Sequence, residues 1–210
     1  MKINIKGFYF ITCAQLSLKK NISDVQAALA AGVKIIQYRS KNLNDQQMFA
    51  EALKIKKLCH EVIFIVNNRV DLAQATEADG VHLGQDDLPI EKARKILGKN
   101  KIIGMSTHSL EQAQEAQNRG ADYIGIGPVF PTQAKPDIKN IGINVLRNVR
   151  QRISVPIVAI GGIDLNNAQA VIDTEVDMLC AISALQKQNK LTANILKFQK
   201  LFELKKVSKI

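Results

Sequence analysis

The stretch that decides the fold is Ile63-Phe-Ile-Val-Asn-Asn-Arg-Val-Asp-Leu-Ala73, followed after a short gap by Ala78-Asp-Gly-Val-His-Leu-Gly-Gln-Asp-Asp87. Twice, a short apolar run stops abruptly in polar residues that can bind a metal ion or a phosphate. In a parallel α/β barrel the strands carry the active-site residues at their carboxyl ends. The stretch therefore predicts two neighbouring strands of such a barrel, with functional residues directly after each of them.

The same alternation of apolar runs and helical patterns continues in both directions along the chain. Strands are predicted at 8–12, 35–39, 63–66, 80–83, 102–106, 123–126, 156–160 and 178–181, and helices at 23–31, 45–60, 69–76, 89–97, 109–119, 145–150, 166–173 and 192–204. The strands are continuously apolar, which is typical of parallel strands covered on both faces. The pattern predicts an α/β protein with one domain over residues 1–210, a single (β/α)8 TIM barrel.

A doubly wound open sheet is the competing architecture. That fold would place a Gly-x-Gly-x-x-Gly turn after the first strand, whereas this chain has Ile11-Thr-Cys-Ala14 there. The longest irregular stretch, 127–142, separates the sixth strand from its helix, and such a loop in a compact domain is usually functional.

The composition limits the classes of partner. The chain has a net charge of +10, but its basic residues are spread out and aromatic residues make up only 5%, without a base-stacking motif. We therefore expect no nucleic acid partner. No apolar run reaches the roughly 20 residues that span a bilayer, and no signal-peptide segment is evident, so we expect no membrane association and a cytoplasmic location. A homo-oligomer is compatible with the sequence.

Polar residues and glycines follow nearly every predicted strand, and in a barrel they converge on one face. In chain order they are Gln37, Arg39, Lys41, Asn67, Asn68, Gln85, Asp86, Asp87, Ser106, His108, Thr132, Lys135, Gly161, Gly162 and Ser183. Arginine and lysine suit phosphate oxygens, and loops after the seventh and eighth strands commonly bind phosphate in this fold. The pattern predicts a site for phosphorylated small molecules, although solvated charges at strand ends are the alternative.

The adjacent carboxylates of Asp86 and Asp87 could bind Mg²⁺, which takes one or two protein carboxylates and completes its shell with water and substrate phosphates. Asp87 also precedes a predicted helix, so a helix-capping role is the alternative. His82 lies inside a strand pattern and is interpreted as a packed core residue. His108 is the histidine expected near the mouth of the barrel.

Seven blocks of sequence together resemble the thiamine-phosphate synthase family over nearly the whole chain. The matching blocks are 37–41, 67–73, 78–87, 104–108, 120–132, 156–163 and 181–184. The resemblance implies a (β/α)8 barrel that joins an aminopyrimidine methyl diphosphate to a (carboxy)thiazole phosphate in thiamine biosynthesis. The products would be thiamine phosphate and pyrophosphate, and the cofactor would be Mg²⁺.

The resemblance also implies roles for individual residues. The pyrimidine diphosphate would be bound by Gln37, Arg39, Lys41, Asn67, Ser106 and Lys135, of which Arg39, Ser106 and Lys135 would be catalytic. The thiazole phosphate would be bound by Thr132, Ala134, Gly162, Ile182 and Ser183. The metal ligands would be Asp87 and the residue at position 68.

The chain departs from the family pattern at three places. Asn68 stands where the family has an Asp that binds Mg²⁺, Ala134 replaces a hydroxyl residue of the loop, and Cys13 replaces an Asp after the first strand. An amide oxygen can coordinate Mg²⁺ but adds no charge, so weak metal binding is expected.

These departures leave two alternative functions. A related thiazole tautomerase would use His108 for proton transfer, but the retained Arg39, Lys41 and Asp87 argue against it. A non-catalytic barrel that binds thiamine precursors or phosphates is the second alternative, and the retained Ser106 and Lys135 argue against that.

Overall fold

The computed structural model describes residues 5–14, 20–132, 139–186 and 190–207. Its strands are β1 (Gly7–Ile11), β2 (Ile35–Tyr38), β3 (Ile63–Asn67), β4 (Gly80–Leu83), β5 (Ile102–Thr107), β6 (Tyr123–Ile126), β7 (Ile157–Ile160) and β8 (Met178–Cys180). They pair in sequence order, all parallel, and β8 pairs back on β1 with Met178 opposite Gly7. The predicted (β/α)8 barrel is confirmed, and the open-sheet alternative is wrong.

Helices connect the strands on the outside of the barrel. They are α1 (Asn21–Ala30), α2 (Asp45–Leu58), α3 (Val70–Ala75), α4 (Ile90–Leu97), α5 (Leu110–Asn118), α6 (Gly142–Arg152), α7 (Ala168–Ile172), α8 (Ile182–Gln186) and α9 (Leu191–Val207). The short helix α8 was not predicted, because one turn is too short to show a hydrophobic period. Within the described ranges, none of the helices combines the length and the apolarity needed to cross a bilayer.

Two apolar cores lie on the two sides of the strands. Along β1, Phe8 and Phe10 belong to the larger core between strands and helices, whereas Tyr9 and Ile11 belong to the smaller core inside the barrel. Successive side chains of a strand point to opposite faces, so each strand contributes to both cores. This double burial explains why the strands read as continuous apolar runs in the sequence.

Three aspartates join neighbouring strands and helices at the amino-terminal end of the barrel. Asp79, Asp122 and Asp177 come directly before β4, β6 and β8. In each case Oδ2 accepts a hydrogen bond from a backbone N–H at the start of the preceding strand, at 2.8–2.9 Å. It also pairs with a cation on the helix that leads into that strand: Lys56 of α2, Arg94 of α4 and Arg150 of α6, respectively. The same arrangement therefore recurs at alternate strands.

Ser109 and Gln112 have the spacing of a capping box at the start of α5, but the box is only half formed. Ser109 accepts a hydrogen bond from the backbone N–H of Gln112, whereas the Gln112 side chain accepts from the backbone N–H of His108. A complete capping box is found at α2, between Asn44 and Gln47. The side chains of Ser109 and Gln112 thus each accept from a backbone N–H that has no partner within the helix, and the bond to Gln112 fixes the backbone of His108.

Candidate active site

The barrel contains a cavity at its carboxyl-terminal end, walled by residues of all eight strands and of loops that follow them. Of the residues expected from the sequence to bind substrates, it brings together Gln37, Arg39, Asn67, Ser106, Thr132, Gly162, Ile182 and Ser183. They come from β2, β3, β5, β6, β7 and β8. Residues far apart in the chain meet here because parallel strands place their carboxyl ends at the same rim.

Three of the other expected site residues lie in described loops but do not line this cavity. Lys41, Asn68 and Asp87 lie in the loops after β2, β3 and β4, at the same end of the barrel but outside the cavity wall. Ala134 and Lys135 lie outside the described residues. His108, the histidine expected near the mouth, lines the cavity.

Arg39 is held in place through its backbone by the end of β1. The buried hydroxyl of Thr12 donates to the carbonyl of Arg39 at 3.0 Å and accepts from its backbone N–H at 2.8 Å. This reciprocal pair ties the loop after β2 to the loop after β1. The guanidinium therefore starts from a fixed backbone position at the cavity wall, which reduces the entropy lost when it binds an anion.

The double glycine after β7 is required by close packing. Gly161 and Gly162 have φ values of 97° and 65°, in the left-handed region that disfavours side chains. A Cβ on Gly162 would lie 2.6 Å from the carbonyl oxygen of Pro131, and one on Gly161 would lie 2.5 Å from Cα of Pro128. The loop that carries Thr132 therefore packs directly on this turn, which joins the two sides of the expected thiazole phosphate site.

A chain of hydrogen bonds crosses the inside of the barrel beneath the cavity. Gln37 Nε2 donates to the Tyr9 hydroxyl at 2.8 Å, and the hydroxyls of Tyr9 and Tyr123 lie 2.7 Å apart. The chain continues through His82, whose Nδ1 lies 2.9 Å from the Tyr123 hydroxyl and whose Nε2 lies 2.9 Å from Ser106 Oγ. All five residues line the cavity.

Sequence reasoning missed three members of this hydrogen-bond chain, namely Tyr9, His82 and Tyr123. His82 is buried, as predicted for a core histidine, and its ring also lines the cavity. Two glycines on the neighbouring strands were the available signal. A Cβ on Gly104 would lie 2.1 Å from the Tyr123 ring, and one on Gly125 would lie 3.1 Å from the His82 ring.

Burial keeps Tyr9 and Tyr123, the two tyrosines of the hydrogen-bond chain, neutral. The pKa of Tyr9 is raised because the phenol is fully desolvated, and the same cause raises the pKa of Tyr123 well above its ordinary value. Each phenol therefore keeps one proton at neutral pH and donates one hydrogen bond. The thiol of Cys180, also in the cavity wall, has a raised pKa for the same reason and stays an unreactive thiol.

The expected metal ligands are one carboxylate and one amide, in the loops after β4 and β3. Asp87 is half-buried, and its Oδ2 accepts a hydrogen bond from the Gly84 N–H at 2.6 Å, which fixes the carboxylate within its own loop. Asn68 is exposed, with a φ of 62° that asparagine tolerates. No group of three or more His, Cys, Asp or Glu side chains suited to a metal occurs among the described residues. One carboxylate and one amide fit Mg²⁺ if a substrate diphosphate completes the coordination.

Comparison with known proteins identifies the family. A family model described as thiamine monophosphate synthase matches residues 8–185. The chain belongs to this family. Thiamine-phosphate synthase from Methanosarcina mazei is 49% identical over 180 residues, which cover 85% of this chain and 75% of that protein. The protein of the same name from Lawsonia intracellularis is 50% identical over 168 residues, with 78% and 77% covered.

Solved structures agree with this family assignment. Thiamine phosphate pyrophosphorylase from Pyrococcus furiosus superposes with a TM-score of 0.88 at 40% identity, over 94% of this chain and 96% of that one. A thiamine phosphate pyrophosphorylase from Bacteroides thetaiotaomicron has a TM-score of 0.68 at 17% identity, over 94% and 98%. At that low identity the second likeness shows the shared barrel fold alone.

Proposed function

We propose that the protein is a thiamine-phosphate synthase, a transferase that joins an aminopyrimidine methyl diphosphate to a (carboxy)thiazole phosphate and releases pyrophosphate. The observation that carries the proposal is one cavity lined by members of both predicted sets of binding residues. Gln37, Arg39 and Asn67 form one side, and Gly162 and Ser183 form the other. Membership of the family supports the same reaction.

The two sides suit two different anionic groups. On one side, Arg39 presents a planar fork of N–H donors that matches diphosphate oxygens, and Lys41 lies in the same loop. The other side consists of the Gly162 backbone and the first residues of α8, Ile182 and Ser183. These residues lie where barrels commonly bind phosphate. Two anionic substrates can therefore occupy one cavity without sharing cations.

Residues of this chain promote the reaction mainly by positioning and by charge. Breaking the carbon–oxygen bond to the diphosphate develops negative charge on the leaving group, which Arg39 and Lys135 stabilise. Ser106 donates a hydrogen bond to the pyrimidine or to the departing group. Holding the thiazole nitrogen in line with the methylene carbon replaces a bimolecular encounter with an intramolecular step. No covalent bond to the protein is required.

Magnesium is proposed as the cofactor. Asp87 and Asn68 would hold the ion, which would neutralise diphosphate charge as a Lewis acid. Asp87 provides the one charged ligand of the pair, and Asn68 provides a neutral oxygen. Affinity for the ion in the absence of the diphosphate substrate should therefore be weak.

One observation favours the thiazole tautomerase as a second candidate. Nδ1 of His108 hydrogen-bonds to the carbonyl of Gly127, and a carbonyl can only accept. Nδ1 therefore carries the proton of the neutral ring and Nε2 has the lone pair. Because His108 lines the cavity, that lone pair could remove a proton from a bound thiazole.

One incubation separates the candidates. The purified protein is mixed with both synthase substrates and Mg²⁺, and thiamine phosphate and pyrophosphate are quantified. A synthase forms both products. A tautomerase converts the thiazole carboxylate isomer and forms no thiamine phosphate, and a binding protein turns over neither substrate but is stabilised by them against heat. Absence of thiamine phosphate at saturating substrates would refute the proposal.

A further inference from the structure

The hydrogen bonds beneath the cavity share one direction when every buried proton along them is given an acceptor. It begins at Gln37, whose Nε2 can only donate, so the Tyr9 oxygen is an acceptor there. A buried phenol proton without an acceptor is costly, so we assign the Tyr9 proton to the second partner of that hydroxyl, which is Tyr123. Since Tyr123 accepts from Tyr9, its own proton goes to Nδ1 of His82.

The last step of the chain sets the role of Ser106. With Nδ1 of His82 acting as an acceptor, a neutral imidazole carries its proton on Nε2. Nε2 then donates to Ser106 Oγ at 2.9 Å. The serine hydroxyl accepts from the protein and keeps its own proton for a group in the cavity that it lines.

We propose that this directed chain holds the Ser106 hydroxyl as a hydrogen-bond donor towards the bound substrate, with Tyr123 and His82 as positioning residues. The inference deepens the proposed synthase function and rests on it for its catalytic meaning. The direction is opposite to that of a nucleophilic serine, which donates its proton to histidine. Ser106 is therefore arranged to stabilise negative charge and not to attack the substrate.

The barrel interior is shaped around this chain. Inward positions of such barrels are usually filled by bulky apolar side chains, but β5 and β6 carry Gly104 and Gly125 beside the rings of Tyr123 and His82. A second hydrogen bond fixes the strand at the same point, because Gln85 Nε2 donates to the Ser106 carbonyl at 2.6 Å. Both the backbone and the hydroxyl of Ser106 are thus held by β4 and the loop that follows it.

The tautomer of His82 is the first test, and it needs no substrate. The protein contains three histidines. An NMR spectrum of the ¹⁵N-labelled imidazoles can therefore be assigned with three single substitutions. We expect the proton on Nε2 in His82 and on Nδ1 in His108, two opposite tautomers in one spectrum. A proton on Nδ1 of His82, or on both nitrogens, would overturn the proposed direction.

Kinetics test the catalytic meaning. Tyr123→Phe keeps the ring against Gly104 but removes the donor to His82, so kcat should fall by about tenfold to a hundredfold through misplacement of Ser106. The KM for thiazole phosphate should stay unchanged. The matched control is Tyr38→Phe, since the Tyr38 side chain is also buried and its hydroxyl is hydrogen-bonded, to Glu51 at 2.8 Å, but Tyr38 lies outside the cavity wall. Equal effects of the two variants would overturn a positioning role.

Substitution of His82 itself separates positioning from stability. His82→Gln retains an N–H that can reach Ser106, whereas His82→Met fills similar space without a donor. We expect the Gln variant to retain clearly more kcat than the Met variant at equal melting temperatures, and equal kcat values would count against the proposal. If His82 carries its proton on Nε2 but the protein has no synthase activity, the proposed function is refuted and the direction of the hydrogen bonds stands. If the protein is an active synthase but His82 carries its proton on Nδ1, only the direction is refuted.

Discussion

Asp177 offers the most quantitative prediction, because its two hydrogen-bond partners, a backbone N–H and an arginine side chain, respond differently when Asp177 is replaced. Its Oδ2 accepts from the Ile157 backbone N–H at 2.9 Å and pairs with Arg150 at 2.8 Å. The side chains of Arg150 and Asp177 are only 19% and 21% exposed. Asp177→Ala therefore leaves a strand N–H without its acceptor and removes the carboxylate from a guanidinium that still donates to the Ile153 carbonyl. Asp177→Asn can keep the acceptor for the N–H.

The magnitudes follow from these two losses. An unsatisfied backbone donor costs about 2 kcal/mol, and loss of a partly exposed ion pair costs about 1 kcal/mol. Asp177→Ala should thus lower the free energy of unfolding by about 3 kcal/mol, and Asp177→Asn by about 1 kcal/mol. For a chain of this size, each kcal/mol shifts the melting temperature by about 2–4 °C, which predicts drops of about 6–12 °C and about 2–4 °C.

Thermal and urea unfolding followed by circular dichroism measure both variants. Asp173→Ala is the control, because Asp173 is an exposed aspartate whose carboxylate accepts from Gln169 on the same helix. It should change the unfolding free energy by less than about 0.5 kcal/mol. If Asp177→Ala and Asp177→Asn lower the melting temperature equally, the backbone N–H is not what the carboxylate stabilises, and the reasoning fails.

Three further predictions concern the proposed site. Asn68→Asp should lower the Mg²⁺ concentration that gives half-maximal rate, because it adds a second charged ligand beside Asp87; an unchanged metal titration would show that Asn68 is not at the metal. Arg39→Lys should lower kcat/KM for the diphosphate substrate by about tenfold to a hundredfold, since the bidentate fork is lost, and an unaltered value would place the diphosphate elsewhere. Gly162→Ala should raise the KM for thiazole phosphate, because its Cβ would displace the Pro131 carbonyl; steady-state kinetics with an unaffected KM would contradict that position for the phosphate.

The sequence was informative about the barrel because strand direction alone brings the strand ends together. Arg39, Asn67, Ser106 and Gly162 lie at the ends of different strands, and the sequence order of the parallel strands places all of them at one rim. Their side chains were also recognisable by type, as cations, amides, hydroxyls and bare backbone. The position of Asp87 at the same end was predictable too, but its absence from the cavity wall was not.

The extra helix α8 and the half-formed capping box show where local patterns fail. Ile182–Gln186 is a single short helix, and nothing in five residues distinguishes it from a loop. At α5, the Gln112 side chain could reach the backbone N–H of either Ser109 or His108, and the loop conformation decided for His108. Both outcomes depend on the exact path of a loop, which neighbouring strands and helices determine.

The sequence by itself thus determined the order of strands and helices, the closure of the barrel and the set of polar groups gathered at its mouth. Only the tertiary structure decided which side chains meet inside, as Tyr9 does with Tyr123, 114 residues later. The physical reason is that strands buried on both faces show no polar–apolar alternation, so the sequence does not tell inward from outward positions. Contact across a closed barrel depends on the stagger of its strands, which appears only when all eight have paired.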